Sequence, residues 1–345
     1  MKTLAAVLTE INKPLTLMEL ELPQLGNGQV LVNISYSGIC HTQLNEMKGK
    51  KGPDKYLPHT LGHEGSGIVE SIGPGVKKVK PGDHVVLTWI KGKGLDVPST
   101  KYIKQDGSFV NSGAIATFLT KAIISENRIV KINKKMPLKE AALLGCAIPT
   151  GAGIALNTAN IIPGSSVAIF GVGGVGISAL IGSRLMGAKT LITIDVQAHK
   201  LDHAKQFGAT HIINAANEDV LKQIKNITND KGVDYAIEAS GIKTAMETAF
   251  MSVKDKGGLC VLAGNLPQNE KISIDPFDLI KGKRIIGTWG GETDPDRDIP
   301  KYVRFVLSGK LKLEKMLTHE YMLKEINSAF TALEKGDVGR AIVQM

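Results

Sequence analysis

Apolar and polar positions along the chain change rhythm near Ala141. Before it, short apolar runs at residues 29–35, 66–71 and 83–87 are separated by glycine and proline turns such as Pro74-Gly75 and Pro81-Gly82. Short runs bounded by turn pairs predict strands, so this part reads as a β-rich domain with few helices. The opening residues 1–8 read as a first strand, because the polar stretch 9–13 ends the apolar run too early for a signal segment. After Ala141 the pattern alternates. Strands are predicted at 166–170, 190–194, 211–214, 234–238, 258–263 and 284–287. Helices are predicted between them at 175–186, 199–207, 218–227 and 244–253. Strand and helix in alternation imply a parallel sheet covered on both faces. The tail has helical spacing at 299–307 and 324–334 and a strand-like 340–343, and is expected to return to the first domain.

The chain has 345 residues, too many for one ordinary core, and 43% hydrophobic with 22% charged residues, the balance of a globular protein. No apolar run reaches the roughly 20 residues of a membrane span, so no membrane role is expected. The net charge of +9 is spread over the whole length and aromatic residues make up only 5%. Without a nucleic-acid motif, a solvated basic surface is the better reading, and no nucleic-acid partner is expected. Three cysteines make a disulfide framework unlike this chain and point to reduced, cytoplasmic thiols free to hold metal.

The chemistry gathers in a few segments. Gly171-Val-Gly-Gly-Val-Gly176 follows the predicted strand 166–170 and opens a helix. In that context Gly171 gives the tight turn, Gly173 lets the backbone approach a pyrophosphate, and Gly176 lets helix and strand pack closely. Gly174 and Val175 complete the loop, whose helix N-terminus presents free N–H groups to phosphate. Asp195 ends the next strand, 19 positions after Gly176, and no arginine follows it. A carboxylate there accepts from both ribose hydroxyls and repels a 2′-phosphate, which favours NAD over NADP. Two of the three cysteines, Cys40 and Cys146, stand with His63 in separate segments. Thiolate and imidazole are zinc donors, and three of them leave a position open for water or substrate, although this spacing by itself is not diagnostic.

The surrounding motifs are Gly62-His-Glu-Gly-Ser-Gly-Ile-Val-Glu-Ser-Ile-Gly-Pro-Gly-Val76, Lys80-Pro-Gly-Asp-His-Val85 and Gly145-Cys-Ala-Ile-Pro-Thr-Gly151. Over essentially its full length the chain resembles the zinc-dependent medium-chain alcohol dehydrogenases. The resemblance implies a GroES-like β-rich catalytic domain, residues 1–147 and 289–345, and a doubly wound Rossmann domain, residues 148–288. It makes Cys40, His63 and Cys146 the ligands of one catalytic zinc per chain, with Glu64 beside the metal and able to exchange as a ligand. Thr42 takes the position that bonds the substrate hydroxyl, and His41 a position near the cofactor phosphate. Thr150 and Val175 fall against the nicotinamide, Lys200 joins Asp195 among the cofactor residues, and Arg340 matches a residue that reaches the pyrophosphate. Trp89 and Trp289 fall where pocket walls stand. The implied activity is hydride transfer between NAD and an alcohol or carbonyl compound, in a homodimer or homotetramer.

Three departures qualify that expectation. The stretch 91–102 has no cysteine, where many relatives hold a structural zinc with four. Gln43 replaces an aspartate that supports the ligand histidine, and Asn45 replaces a histidine that ends the proton relay. The missing lobe and the polar residues Lys104, Gln105, Asp106, Asn111 and Ser112 also suit a polyol, sugar or cyclitol dehydrogenase, although the same stretch reads as a solvated turn. A catalytically silent NAD-binding protein would be missing a ligand or a motif glycine, and all are present.

Overall fold

The computed structural model describes residues 1–345, which divide into two compact units, Met1–Cys146 with Asp294–Met345, and Ala147–Thr293. In the first, a small closed barrel joins the strands Lys2–Leu8, Thr16–Glu21, Ser99–Ile103, Phe109–Gly113 and His59–Thr60. Beside it runs a larger sheet in the order Ile129–Lys131, His84–Thr88, Glu64–Ile72, Gln29–Gly38, Ala341–Gln344 and His319–Met322, with Lys121–Ser125 also paired to Gln29–Gly38. The tail does return, since Ile342 pairs with Gly38 and Val343 with Ser37. Alternation along these strands fills one core with Val30, Val32, Val85, Leu87, Tyr102 and Val110. A second core sets Phe118 edge-on to Phe330 of the helix Ile326–Lys335.

The stretch read as a solvated turn is one at its tip, where residues 105–108 are exposed, but that turn joins the two strands of a hairpin. Lys101 pairs with Asn111, and Tyr102 and Val110 are fully buried. The polar tip hides the signal: Lys104 N–H donates to Ser108 O, Asp106 accepts from Ser108 N–H, and Gly107 takes φ +80. Four side chains face inward and are buried, Thr100, Tyr102, Val110 and Ser112, and only two of them are apolar.

The second unit has six parallel strands in the order His211–Asn214, Thr190–Asp195, Ser166–Phe170, Tyr235–Glu238, Leu259–Leu262 and Arg284–Gly287. This is the doubly wound arrangement, with strand order reversing beside Ser166–Phe170. Helix Gly174–Leu185 leaves that strand directly after the glycine loop. Residues 289–293, expected in the first unit, belong to the second. Thr293 Oγ1 donates to Pro149 O at 2.8 Å and Asn157 Nδ2 to Gly291 O at 3.1 Å, which binds the stretch to the helical run that starts at Ala147. No single helix is long and apolar enough to cross a membrane.

Candidate metal centre and dinucleotide loop

Strand pairing assembles the metal set in the first unit. The strand Gln29–Gly38 ends just before Cys40, and Glu64–Ile72 begins just after His63. Ser37 opposite Gly65 brings these two ends together. Cys146 arrives on the turn Ala142–Gly145, which packs on the same strands. Gly145 makes that approach possible: a Cβ there would stand 2.2 Å from Leu87 O and 2.8 Å from Glu64 Cβ. The donor atoms of Cys40, His63 and Cys146 all lie within 4.8 Å of one another.

This donor set fits zinc. Two sulfurs and an imidazole are borderline-soft ligands, and three leave a fourth position for a reacting oxygen. The electrostatics agree. The hydrogen bond from Cys146 pulls the Cys40 thiol well below its ordinary range, helped by His63, and pushes Cys146 well above it. Zinc takes thiolates, so a cation binding between these two sulfurs competes with protons. Burial depresses His63, but the neighbouring Cys40 sulfur outweighs it and the imidazole is raised overall. Cys40 also caps the helix His41–Met47, whose N-terminal dipole favours a thiolate.

Gln43 ties this centre together. Its Oε1 accepts from Cys40 N–H at 2.9 Å, and its Nε2 lies 2.8 Å from His63 Nδ1. Thr42 Oγ1 is 3.6 Å from Cys40 Sγ, so the residue expected to bond the substrate hydroxyl stands beside the ligands. His41 is exposed on the first turn of the same helix. Trp89, half-buried, gives its carbonyl to the Arg128 guanidinium.

Two expected roles change. Glu64 lies outside the clustered donor set, and Arg340 is not an open cation for a pyrophosphate. Both are buried and pair with one another, with Arg340 Nη1 also donating to Ile39 O at 2.7 Å. Burial raises the Glu64 carboxyl, with Arg340 opposing. The carbonyl of Glu64 is fixed by Ser37 Oγ at 2.9 Å and Thr117 Oγ1 at 3.1 Å. This pair braces the floor behind the metal donors, and sequence gives no sign of it because its members lie 276 positions apart. Sequence reasoning also missed a second convergence, Glu46, Asp54 and His59, which has no recognisable spacing.

In the second unit the loop matches a dinucleotide. Gly171 has φ +86, and a Cβ on Gly176 would fall 1.9 Å from Gly171 O, so both glycines are required by the fold. Gly173 is different: a Cβ there meets nothing within 4 Å. The protein itself does not demand that glycine, and the open space beside it suits a pyrophosphate approaching the backbone. Asp195 stands where expected, its carboxylate accepting from Val172 N–H at 2.8 Å and Gln197 N–H at 3.0 Å, with lone pairs left over. The buried hydroxyl of Thr150 has no hydrogen-bond partner within the protein, which suits a contact to bound cofactor. Val175 and Gly174 form the first turn of the helix, and Lys200 is half-buried on the helix Ala198–Lys205. Trp289 is 75% exposed in this unit, not packed as a pocket wall within it. Cys260 is a free thiol that burial pushes up to about 12, so it is inert.

Comparison with known proteins decides the family. The alcohol dehydrogenase GroES-like domain matches residues 26–134 and the zinc-binding dehydrogenase domain residues 174–308. Alcohol dehydrogenase 2 of Zea mays is 34% identical, over 100% of this chain and 97% of its own length. The chain belongs to the zinc-dependent medium-chain alcohol dehydrogenase family. S-(hydroxymethyl)glutathione dehydrogenase of Paracoccus denitrificans is 32% identical, over 99% of this chain and 100% of its own. The crystal structure of benzyl alcohol dehydrogenase from Acinetobacter calcoaceticus superposes with a TM-score of 0.89 at 31% identity, covering 100% of this chain and 99% of that one. As a member of this family the chain is a zinc- and nicotinamide-dependent oxidoreductase that moves hydride between its cofactor and an alcohol or carbonyl compound.

Proposed function

We propose that this protein is an NAD-linked dehydrogenase of a primary or secondary alcohol, with Cys40, His63 and Cys146 as the ligands of one catalytic zinc. The observation that carries this is the convergence of their three donor atoms within 4.8 Å. The preference for NAD rests on Asp195, whose carboxylate faces the glycine loop and is followed by Val196 and Gln197 rather than arginine.

When bound, zinc supplies a Lewis acid that favours loss of the alcohol proton, as it does for bound water. When bound, NAD supplies the hydride acceptor. The residues around them do the positioning. Thr42 Oγ1 accepts the hydroxyl proton and passes it on. Asn45 does not titrate, so the proton reaches solvent without a base at that position. Gln43 fixes the Cys40 backbone and the His63 ring, while the Glu64–Arg340 pair holds the strand and turn that carry the ligands. The glycine loop binds the pyrophosphate with backbone N–H groups.

One observation favours a second reading, a polyol, sugar or cyclitol as substrate. A cavity of about 550 Å³ in the first unit reaches His63, and Glu46, His59, Lys101, Asn111 and Ser112 set polar groups into a lining that also holds Tyr56, Leu61, Pro98 and Ile115. A screen of NAD reduction over aliphatic, aromatic and polyhydroxylated alcohols, with and without chelator, tests both. Chelator-sensitive turnover of monohydric alcohols supports the first reading, and preference for polyols the second. Turnover that survives zinc removal contradicts both.

We place the protein in the cytoplasm as a homodimer or homotetramer. Three free thiols support the compartment. Exposed Phe277 and Ile280, close in sequence to the edge strand Arg284–Gly287, support self-association.

A further inference from the structure

A second set of metal-type donors stands in the first unit, apart from the two sulfurs. Glu46 lies on the helix His41–Met47, Asp54 in the following loop and His59 at the start of the strand His59–Thr60. One donor atom from each lies within 4.8 Å of the others. His59 Nε2 is 2.8 Å from Asp54 Oδ2 and 3.9 Å from Glu46 Oε1. The side chains of His59 and Asp54 are only 10% and 11% exposed.

The imidazole is oriented for this. Its Nδ1 lies 3.1 Å from Thr60 O, and a carbonyl only accepts, so Nδ1 carries the proton. Nε2 then faces two carboxylates, and something positive must lie between three acceptors. It is either a proton on Nε2 or a cation. Metal-binding histidines characteristically donate their other N–H to a carbonyl in this way. The cavity of about 550 Å³ is lined by Glu46 and His59 and gives an ion a route in. Two carboxylates against one ammonium, Lys51 Nζ at 3.0 Å from Glu46 Oε2, leave the group net negative with His59 neutral.

We propose that Glu46, Asp54 and His59 form a second cation site, for an exchangeable divalent transition metal such as zinc. One nitrogen and two oxygens suit such ions better than magnesium or calcium, which prefer an all-oxygen set. A bound ion separates its ligand atoms by about 3 Å or slightly more, so His59 and Asp54 part by a few tenths of an ångström and Glu46 closes in. Lacking thiolate and holding one half-exposed ligand, this site binds more weakly than the Cys40, His63 and Cys146 set. It bridges the helix that carries Thr42 and Gln43 to the strand that leads into His63.

The test is calorimetric titration of Zn2+ into the holoenzyme, already carrying one tightly held zinc after passage through metal-free buffer. The wild type, Asp54→Asn, His59→Gln and a control His199→Gln are compared. The proposal expects one further equivalent in the wild type and the control, with affinity at least about ten-fold weaker in Asp54→Asn and in His59→Gln. The same variants keep their tight zinc and their NAD binding, which separates failure here from failure of the proposed activity. No further equivalent in the wild type, or one that both variants retain unchanged, overturns the proposal and leaves a proton as the occupant between His59 and its carboxylates.

Discussion

Single side chains decide the metal centre, and Gln43 is the most telling. With metal on His63 Nε2, Nδ1 carries a proton and needs an acceptor. The one amide oxygen of Gln43 already accepts from Cys40 N–H. A carboxylate would serve both donors, so Gln43→Glu is expected to tighten zinc by about ten-fold, read by competition with a chromophoric chelator. Unchanged or weaker zinc would mean the amide is not limiting. Gly173 offers a second test. A methyl group there meets no protein atom and its backbone is extended, so Gly173→Ala should keep stability or raise it by up to about 1 kcal/mol. NAD binding should weaken in the same variant; intact NAD affinity would mean the loop does not reserve that space. At this scale the sequence was most legible where residue type and chemistry coincide, as in Cys40, His63, Cys146 and the three motif glycines. It was least legible where a partner is distant. Arg340 reads as a free cation until the chain is folded and Glu64 is found beside it, and His59 reads as an ordinary polar residue.

Elements explain why a chain without a four-cysteine lobe still orders the segment 91–98. Glu126 does much of this. It is buried, and its carboxylate accepts from Lys77 N–H at 2.6 Å, Lys78 N–H at 2.8 Å and Leu95 N–H at 2.8 Å. Burial pushes this carboxyl up, but the three backbone donors outweigh it and hold it below its ordinary range. A folded-state value below the unfolded one gives stability that is complete above the unfolded value, about 4.3, and is lost as pH falls through the folded value. Glu126→Gln turns an N–H toward one of those donors and should cost about 1–3 kcal/mol at pH 7. The difference from wild type should shrink in acid, as urea melts at pH 7 and pH 3 would record. A constant difference at both values would show that ionisation of Glu126 does not matter. Strands and helices of the parallel sheet were readable because apolar runs of four to six residues alternate with longer segments of helical spacing. The hairpin Ser99–Ile103 and Phe109–Gly113 was not, since only Tyr102 and Val110 betray its buried face.

Across the whole molecule, two separate cores carry two separate tasks. The metal donors belong to Met1–Cys146 with Asp294–Met345, and the glycine loop to Ala147–Thr293. Rhythm in the sequence located the change of architecture, because β-rich and alternating patterns differ over tens of residues. It misplaced residues 289–293, since the bonds from Thr293 to Pro149 and Asn157 to Gly291 leave no local pattern. Separate cores make the two functions separable by mutation. The most direct test is zinc content, NAD affinity and alcohol-dependent NAD reduction in the wild type and His63→Ala, measured on the same preparations. We expect one tightly held zinc and turnover in the wild type, and loss of both in His63→Ala with NAD affinity unchanged. A variant that keeps its zinc and its activity would contradict the assignment of this centre.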